Sequence, residues 1–360
     1  MKKKCKNVDI TNFDFILNAV EQCFQNKKKN RTDIIRIREE VGTNIDIALM
    51  LQKELINKDI KLKPIWYRTK YDSASRKWRT IGIQDIKQQI YDYIAVNGLE
   101  ELMHRVGKYQ CASIKGRGQV YCAKAIYNHI QDSSVKYACK FDVRKYYESI
   151  PQDKMMEWLR KRVKNDTLLW LIETLIHTFE KGLSIGSYLS QHLGNLYLSD
   201  VYREIESMHT VRRGKKTKIV SFVCTYMDDL LISGSNSKAL IKVGHKIEDM
   251  CSEKGLTIKD TWSCFKIDDS FIDMVGYRIH RDHITIRRCT LKKIRRAIIR
   301  FEHHPTSLSL AKRVNSYKGI LDHSDSYQFC KKYNVYETIR KARRLVSYYD
   351  RHNQIGCAHA

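Results

Sequence analysis

The chain has 360 residues, 42% of them hydrophobic and 10% aromatic, which is enough for a large buried core and excludes global disorder. Lys and Arg number 66 against 40 Asp and Glu, a net charge of +26 that points to a polyanionic partner, nucleic acid first. No stretch has the apolar length of a membrane span, and no signal core follows the basic start Met1-Lys2-Lys3-Lys4-Cys5, so a cytoplasmic protein with no membrane partner is expected.

In chain order, Asp46 to Leu55 reads as an amphipathic helix. Trp66 to Ile83 alternates as a hairpin, with Asp72-Ser73-Ala74-Ser75 as its turn. Ile86, Ile90 and Ile94, then Leu99, Leu102 and Met103, follow helical spacing. Tyr137 to Val143 is a short strand bearing a carboxylate. Met155 to Phe179 holds two helical blocks split near Asn165-Asp166, and Leu189 to Ile205 is one long helix. Ile219 to Ser233 reads as strand, tight turn, strand; Met274 to Ile286 is another hairpin; from Leu291 the chain is mostly helical. Helices and short strands without regular βαβ alternation predict an α+β fold. Only 3 prolines and 16 glycines, and no linker, predict interleaved domains. The 11 cysteines are scattered without a CxxC pair, which predicts reduced, mostly buried thiols. Cys357 with His359, and the pair His303-His304, lack a second ligand pair at zinc-site spacing.

The most informative segment is Ser221 to Ser233, where Asp228 and Asp229 sit between two apolar, β-prone runs. Such flanks bury the strands and hold both acids at the tip of a core hairpin. Two like charges there cost several kcal/mol unless a cation compensates, whereas a solvated turn would cost nothing. Asp142 ends a similar strand, Tyr137-Ala138-Cys139-Lys140-Phe141-Asp142. If the strands are neighbours, the three carboxylates suit two Mg²⁺ ions roughly 4 Å apart, an arrangement for in-line nucleotidyl transfer.

These residues resemble a known family. Tyr226-Met227-Asp228-Asp229 resembles the YxDD signature of reverse transcriptases, and Lys140-Phe141-Asp142 through Ile150 resembles their first catalytic motif. Gly186-Ser187-Tyr188-Leu189-Ser190-Gln191 through Leu198 resembles the motif between them, and Met274 to Ile279 is similar to the primer-grip hairpin. Within that family, Ile185-Gly186 followed by Ser190-Gln191, and the tail with Ser316-Tyr317-Lys318-Gly319 and His323, resemble the enzymes of diversity-generating retroelements. Ser113 to Gly118 departs from the tyrosine-rich pattern of that group and leaves room for reverse transcriptases of antiphage defence.

The resemblance implies a right-hand polymerase: N-terminal region and fingers over 1–135, palm over 136–285 with interleaved fingers helices at about 154–182, and thumb over 286–360. It implies an RNA-directed DNA polymerase with Asp142, Asp228 and Asp229 catalytic, and Asp142, Val143, Asp228 and Asp229 holding two Mg²⁺ ions that Mn²⁺ can replace. Lys77 and Arg79 project from one face of a strand, and two cations on one face suit a triphosphate. The resemblance gives them that role, makes Tyr147 the sugar gate, and places Ile185, Gly186 and Gln191 at the nucleotide. It puts Tyr226, Met227, Gly276 and Tyr277 against primer and template.

Arg287, Arg288, Lys292, Lys293, Arg295, Arg296 and Arg300 interleave with Leu291, Ile294, Ile298 and Phe301 at helical spacing, which predicts a thumb helix with a basic face along a duplex. The loop Arg212-Arg213-Gly214-Lys215-Lys216 and the run Lys27 to Arg31 are further basic clusters. Lys115-Gly116-Arg117-Gly118 could approach a phosphate but lacks P-loop context. Expected partners are a template RNA, a structured noncoding one, with dNTPs, the cDNA product and a small basic helical accessory protein oligomer. The competing class is an RNA-binding protein with a vestigial palm, against which the intact acids argue.

Overall fold

The computed structural model of the chain describes residues 2–25, 27–28, 30–72 and 77–355. The chain opens with three helices, α1 (Phe13–Gln25), α2 (Thr32–Val41) and α3 (Asn44–Asn57). In α1, Ile16, Ala19, Val20 and Cys23 recur at helical spacing and are buried. Thr43 starts α3 by accepting from the Asp46 amide, and Asp46 caps back on Thr43. Strands β1 (Trp66–Asp72) and β2 (Lys77–Ile83) form the expected antiparallel hairpin. Its turn, Ser73 to Ser75, lies outside the described residues, as does Arg76.

Helices α4 (Ile86–Gly98) and α5 (Glu100–Met103) lead to the two-residue strand β3 (Gln110–Cys111) and to α6 (Gln119–Ile130). Then come β4 (Tyr137–Asp142), α7 (Tyr146–Ser149), α8 (Gln152–Arg160), α9 (Asp166–Ile176) and α10 (Tyr188–Ser207). Asn165 accepts from the Leu168 amide, which fixes the expected break between α8 and α9 as an N-cap. The segment read as a basic loop is instead a hairpin, β5 (His209–Arg212) and β6 (Lys215–Lys218), closed by Arg213-Gly214, both at positive φ. A two-residue turn of that backbone conformation matches the twist of a strand pair.

Strands β7 (Phe222–Tyr226) and β8 (Asp229–Gly234) are followed by α11 (Ser237–Glu253) and β9 (Cys264–Lys266). The expected hairpin at 274–286 is a three-stranded meander of β10 (Ile272–Met274), β11 (Tyr277–Ile279) and β12 (Ile284–Ile286), with Val275-Gly276 as its first turn. The helical tail comprises α12 (Arg288–His303), α13 (Leu308–Ser316), α14 (Lys318–Asp322), α15 (Tyr327–Lys332) and α16 (Val335–Ile355). Cys357 and His359 lie outside the described residues.

The central sheet has the order β3-β7-β8-β4-β9, parallel only between β3 and β7. It divides the molecule into two cores, because successive strand residues point to opposite faces. Cys139, Phe141, Val223, Leu230 and Ile232 face a core shared with α1, α3, α4 and α8 to α11. Ala138, Phe222, Cys224 and Leu231 face a second core with α6, the meander and the helical tail. Both faces are covered, so the strands read as continuous apolar runs. β3 and α6 pack with this sheet although they precede residue 136. Among the described residues no helix is long and apolar enough to cross a membrane.

Candidate active site

β4 and β8 pair antiparallel with Asp142 directly opposite Asp229, and β7 closes on β8 with Tyr226 opposite Asp229. Asp228 occupies the turn between them. Met227 precedes it at φ +54°, a left-handed backbone that lets a two-residue turn close. The Val143 amide donates to the Asp228 carbonyl at 3.1 Å, and the Lys259 amide to the Asp142 carbonyl at 2.9 Å. Backbone bonds thus lock three carboxylates at one end of the sheet.

Two of the acids carry cationic partners from within the chain. Lys140 Nζ lies 3.0 Å from Asp229 Oδ1, and Lys259 pairs with Asp142. Asp228 has no ion pair among the described residues. Burial pushes its carboxyl above the ordinary range; Asp229 and Asp142 add to the rise, which a backbone amide and the positive field of Arg79 oppose. Three carboxylates at one end of the sheet, one under electrostatic stress, are oxygen ligands of the kind a hard divalent cation takes.

The turn from β4 into α7 runs through Lys145 at φ +48° and brings two tyrosines back under the acids. Tyr146 is buried and donates to the Gly194 carbonyl at 2.6 Å, so it is a core residue. Tyr147 Oη lies 3.4 Å from Met227 Sδ; burial, then the nearby Asp228 and Tyr226, keep its phenol protonated.

Ile185 and Gly186 dock on β2. The Gly82 amide donates to the Ile185 carbonyl at 2.8 Å. Gly186 has φ +112°, and a Cβ there would come within 2.6 Å of the Gly82 carbonyl oxygen. This contact ties the strand of Lys77 and Arg79, both exposed, to the segment before α10. Gln191 is partly buried and accepts from Ser113 Oγ at 2.6 Å. In Lys115 to Gly118, Arg117 Nη1 donates to the Gly107 carbonyl at 2.6 Å, and Gly118 precedes α6.

Tyr226 is half-buried, whereas the Tyr277 ring lies inside the second core. Gly276, at φ +90°, turns the chain beside it. Of the predicted basic residues, Arg288, Lys292, Arg295 and Arg296 are exposed on α12 and Lys293 is partly so, opposite buried Ile294, Ala297, Ile298 and Phe301. Arg287 is held by Asp273, and Arg295 stacks over Tyr333 at 5.1 Å. Sequence reasoning missed Lys140 and Lys259 as partners of the acids, because their pairing depends on strand register. It also missed a cationic cleft lined by Lys318, Arg340, Arg343, Arg344 and Arg351.

Residues 68–279, more than half of the chain, match the family described as "Reverse transcriptase (RNA-dependent DNA polymerase)". The chain belongs to that family. The chain is α+β, its fold consistent with the right-hand polymerase architecture of that family, and its central sheet carries the Tyr226–Asp229 hairpin. Among solved structures it is similar to apo telomerase from Candida tropicalis truncated from its C-terminal domain, with TM-score 0.45 and 14% identity. The match covers 62% of this chain and 54% of that one, so the reverse transcriptase spans about half the telomerase chain's length. No curated protein matches it in sequence.

Proposed function

We propose that the chain is an RNA-directed DNA polymerase that copies an RNA template into cDNA. The observation that carries this reading is the register that sets Asp142 opposite Asp229, with Asp228 in the adjoining turn. Asp142, Asp228, Asp229 and the Val143 carbonyl would hold two Mg²⁺ ions, or Mn²⁺ in their place, and such ions would supply Lewis acidity toward a primer 3′-hydroxyl and the pyrophosphate leaving group. Lys77 and Arg79 grip the incoming triphosphate from β2. Tyr147 packs under its sugar and excludes a 2′-hydroxyl. Gly186 lets the backbone approach the nascent pair, flanked by Ile185 and Gln191. Tyr226, Met227, Gly276 and Tyr277 position the primer, Tyr277 through its backbone. Arg288, Lys292, Lys293 and Arg296 on α12 follow the duplex backbone, with Arg287 and Arg295 contributing from their intramolecular contacts.

The proposed division is N-terminal region and fingers over 1–135, palm over 136–285 with interleaved fingers helices at about 154–182, and thumb over 286–360; β3 and α6 of the first part pack with the central sheet. The expected setting is a cytoplasmic diversity-generating retroelement, supported by Ile185-Gly186 with Ser190-Gln191. Its partners would be a structured noncoding RNA and a small basic helical accessory protein. Antiphage defence is the second reading, favoured by Ser113 to Gly118, where Ser113 sits at φ +52° and bonds Gln191. The test is dNTP incorporation on a primed RNA with and without Mg²⁺ or Mn²⁺. Metal-dependent extension that Asp142→Ala abolishes, with RNA binding retained, supports the reading; RNA binding without extension would make the palm vestigial. A template and variable repeat pair beside the gene decides between the two settings.

A further inference from the structure

Three cysteines converge behind the candidate active site. Cys111 lies on β3, Cys122 on α6 and Cys224 on β7, and all three are fully buried. Their sulfur atoms lie within 4.8 Å of one another, with Cys122 and Cys224 at 3.5 Å. An ion bonded to three thiolates at about 2.3 Å would hold them roughly 3.8–4.0 Å apart, within that spread. Buried cysteines often serve as small apolar residues, and this molecule supplies the comparison. Cys139 and Cys264 are cross-strand partners on β4 and β9, so strand pairing alone accounts for their closeness. No single pairing accounts for the triad, which draws on two strands and a helix.

We propose that Cys111, Cys122 and Cys224 form a three-thiolate site for a divalent thiophilic cation such as Zn²⁺. Charge favours a divalent ion. Three thiolates carry −3, so a divalent ion that displaces the three thiol protons forms three metal–sulfur bonds and leaves −1, whereas a monovalent ion would leave −2 in an apolar setting. Soft thiolate ligands also disfavour Mg²⁺, so the site stays separate from the carboxylates. Cys111 is the backbone partner of Tyr226, so an ion here would brace the hairpin that carries Asp228.

Cd²⁺ is the probe, because its bonds to thiolate produce an ultraviolet charge-transfer band that carboxylates do not. The reduced full-length protein is titrated with Cd²⁺ both folded and during refolding from denaturant, since the thiols are buried. The expected result is a band saturating at one ion per chain, competed by Zn²⁺ and not by excess Mg²⁺. Cys122→Ser and Cys122→Ala should each lose the band or bind at least about tenfold more weakly, while Cys264→Ala keeps it. Absence of the band in both preparations, or an equal band in folded Cys122→Ala, overturns the proposal.

Discussion

Asp200 and Asp228 are both partly buried aspartates bordering the same core, and they differ in how their charge is met. Asp200, on α10, accepts from Trp158 Nε1 at 2.6 Å, Arg162 Nη2 at 2.6 Å and Arg105 Nη2 at 2.8 Å, with Lys254 Nζ at 3.7 Å. Burial works to raise its carboxyl, but the bonds from Trp158 and Arg105 and the charges of Arg162 and Lys254 hold it below the ordinary range. Asp228 has burial and two neighbouring acids against it, and its carboxyl rises. A site completed by its own chain is architecture; a site that needs charge from outside is where a ligand acts. Lys140 and Lys259 each give one of the other two acids a single cationic partner.

Exchanging the roles of the two aspartates gives the largest expected contrast. Asp228→Ala should lower nucleotide incorporation by about 10³-fold or more, a loss of roughly 4 kcal/mol of transition-state stabilisation. Its folding stability should stay level or rise, because a strained carboxylate is removed. Asp200→Ala should do the reverse: a loss of about 3–5 kcal/mol of stability as Trp158, Arg105 and Arg162 each lose one contact to the carboxylate, with near-normal turnover per folded molecule. Urea denaturation beside single-nucleotide incorporation reads both, and an Asp228→Ala enzyme that extends primers normally would remove the basis of the comparison.

A second contrast sets two glycines side by side. Gly186 and Gly116 both have positive φ, but a Cβ on Gly186 meets the Gly82 carbonyl at 2.6 Å while one on Gly116 meets nothing within 4 Å. Gly116→Ala should cost about 1 kcal/mol. Gly186→Ala should cost roughly 1–3 kcal/mol and also raise the KM for dNTPs, because β2 with Lys77 and Arg79 must shift. Equal KM values in the two variants would detach β2 from nucleotide binding.

The thumb contrast is smaller and electrostatic. Lys292→Gln and Arg296→Gln should each reduce the log–log salt slope of template–primer binding by about 0.7–0.9, without loss of stability. Arg295→Gln should cost stability too, since its guanidinium stacks on Tyr333. Salt titrations that leave the slope unchanged in all three would place these cations in bulk solvent.

What could be read from the sequence was local. The Tyr226–Asp229 hairpin was legible because apolar, β-prone runs flank two acids, and α10 because Leu189, Leu193 and Leu196 repeat along one face. β3 was not, because two residues carry no period and its pairing with β7 joins distant segments. The strand pair β5–β6 was hidden by its charge: Lys215 to Lys218 is exposed throughout and reads as a loop. Helix α11 kept its signal in Leu240, Val243, Ile247 and Cys251, diluted by intervening lysines. The lysine partners of Asp142 and Asp229, and the Asp200 cluster, arise only after the chain closes on itself.

The finest comparison concerns one side chain. Many reverse transcriptases resembling this one carry glutamine before the motif's glycine, where it can hydrogen-bond near the incoming nucleotide; here the residue is Ile185. Isoleucine donates nothing, so the difference in transition-state binding between correct and incorrect nucleotides should shrink. A reduction of about 1.4 kcal/mol corresponds to roughly tenfold more misincorporation. Ile185 is only half-buried, and its main chain is fixed independently by the Gly82 amide, so a glutamine fits without repacking a core. Ile185→Gln is therefore expected to fold normally and to copy more accurately, with the gain greatest opposite template adenines if the retroelement setting holds. Sequencing cDNA made by both forms from one template measures it. Equal error rates from two folded, active enzymes would assign Ile185 to packing alone and leave fidelity to the groups around Tyr147 and Gln191.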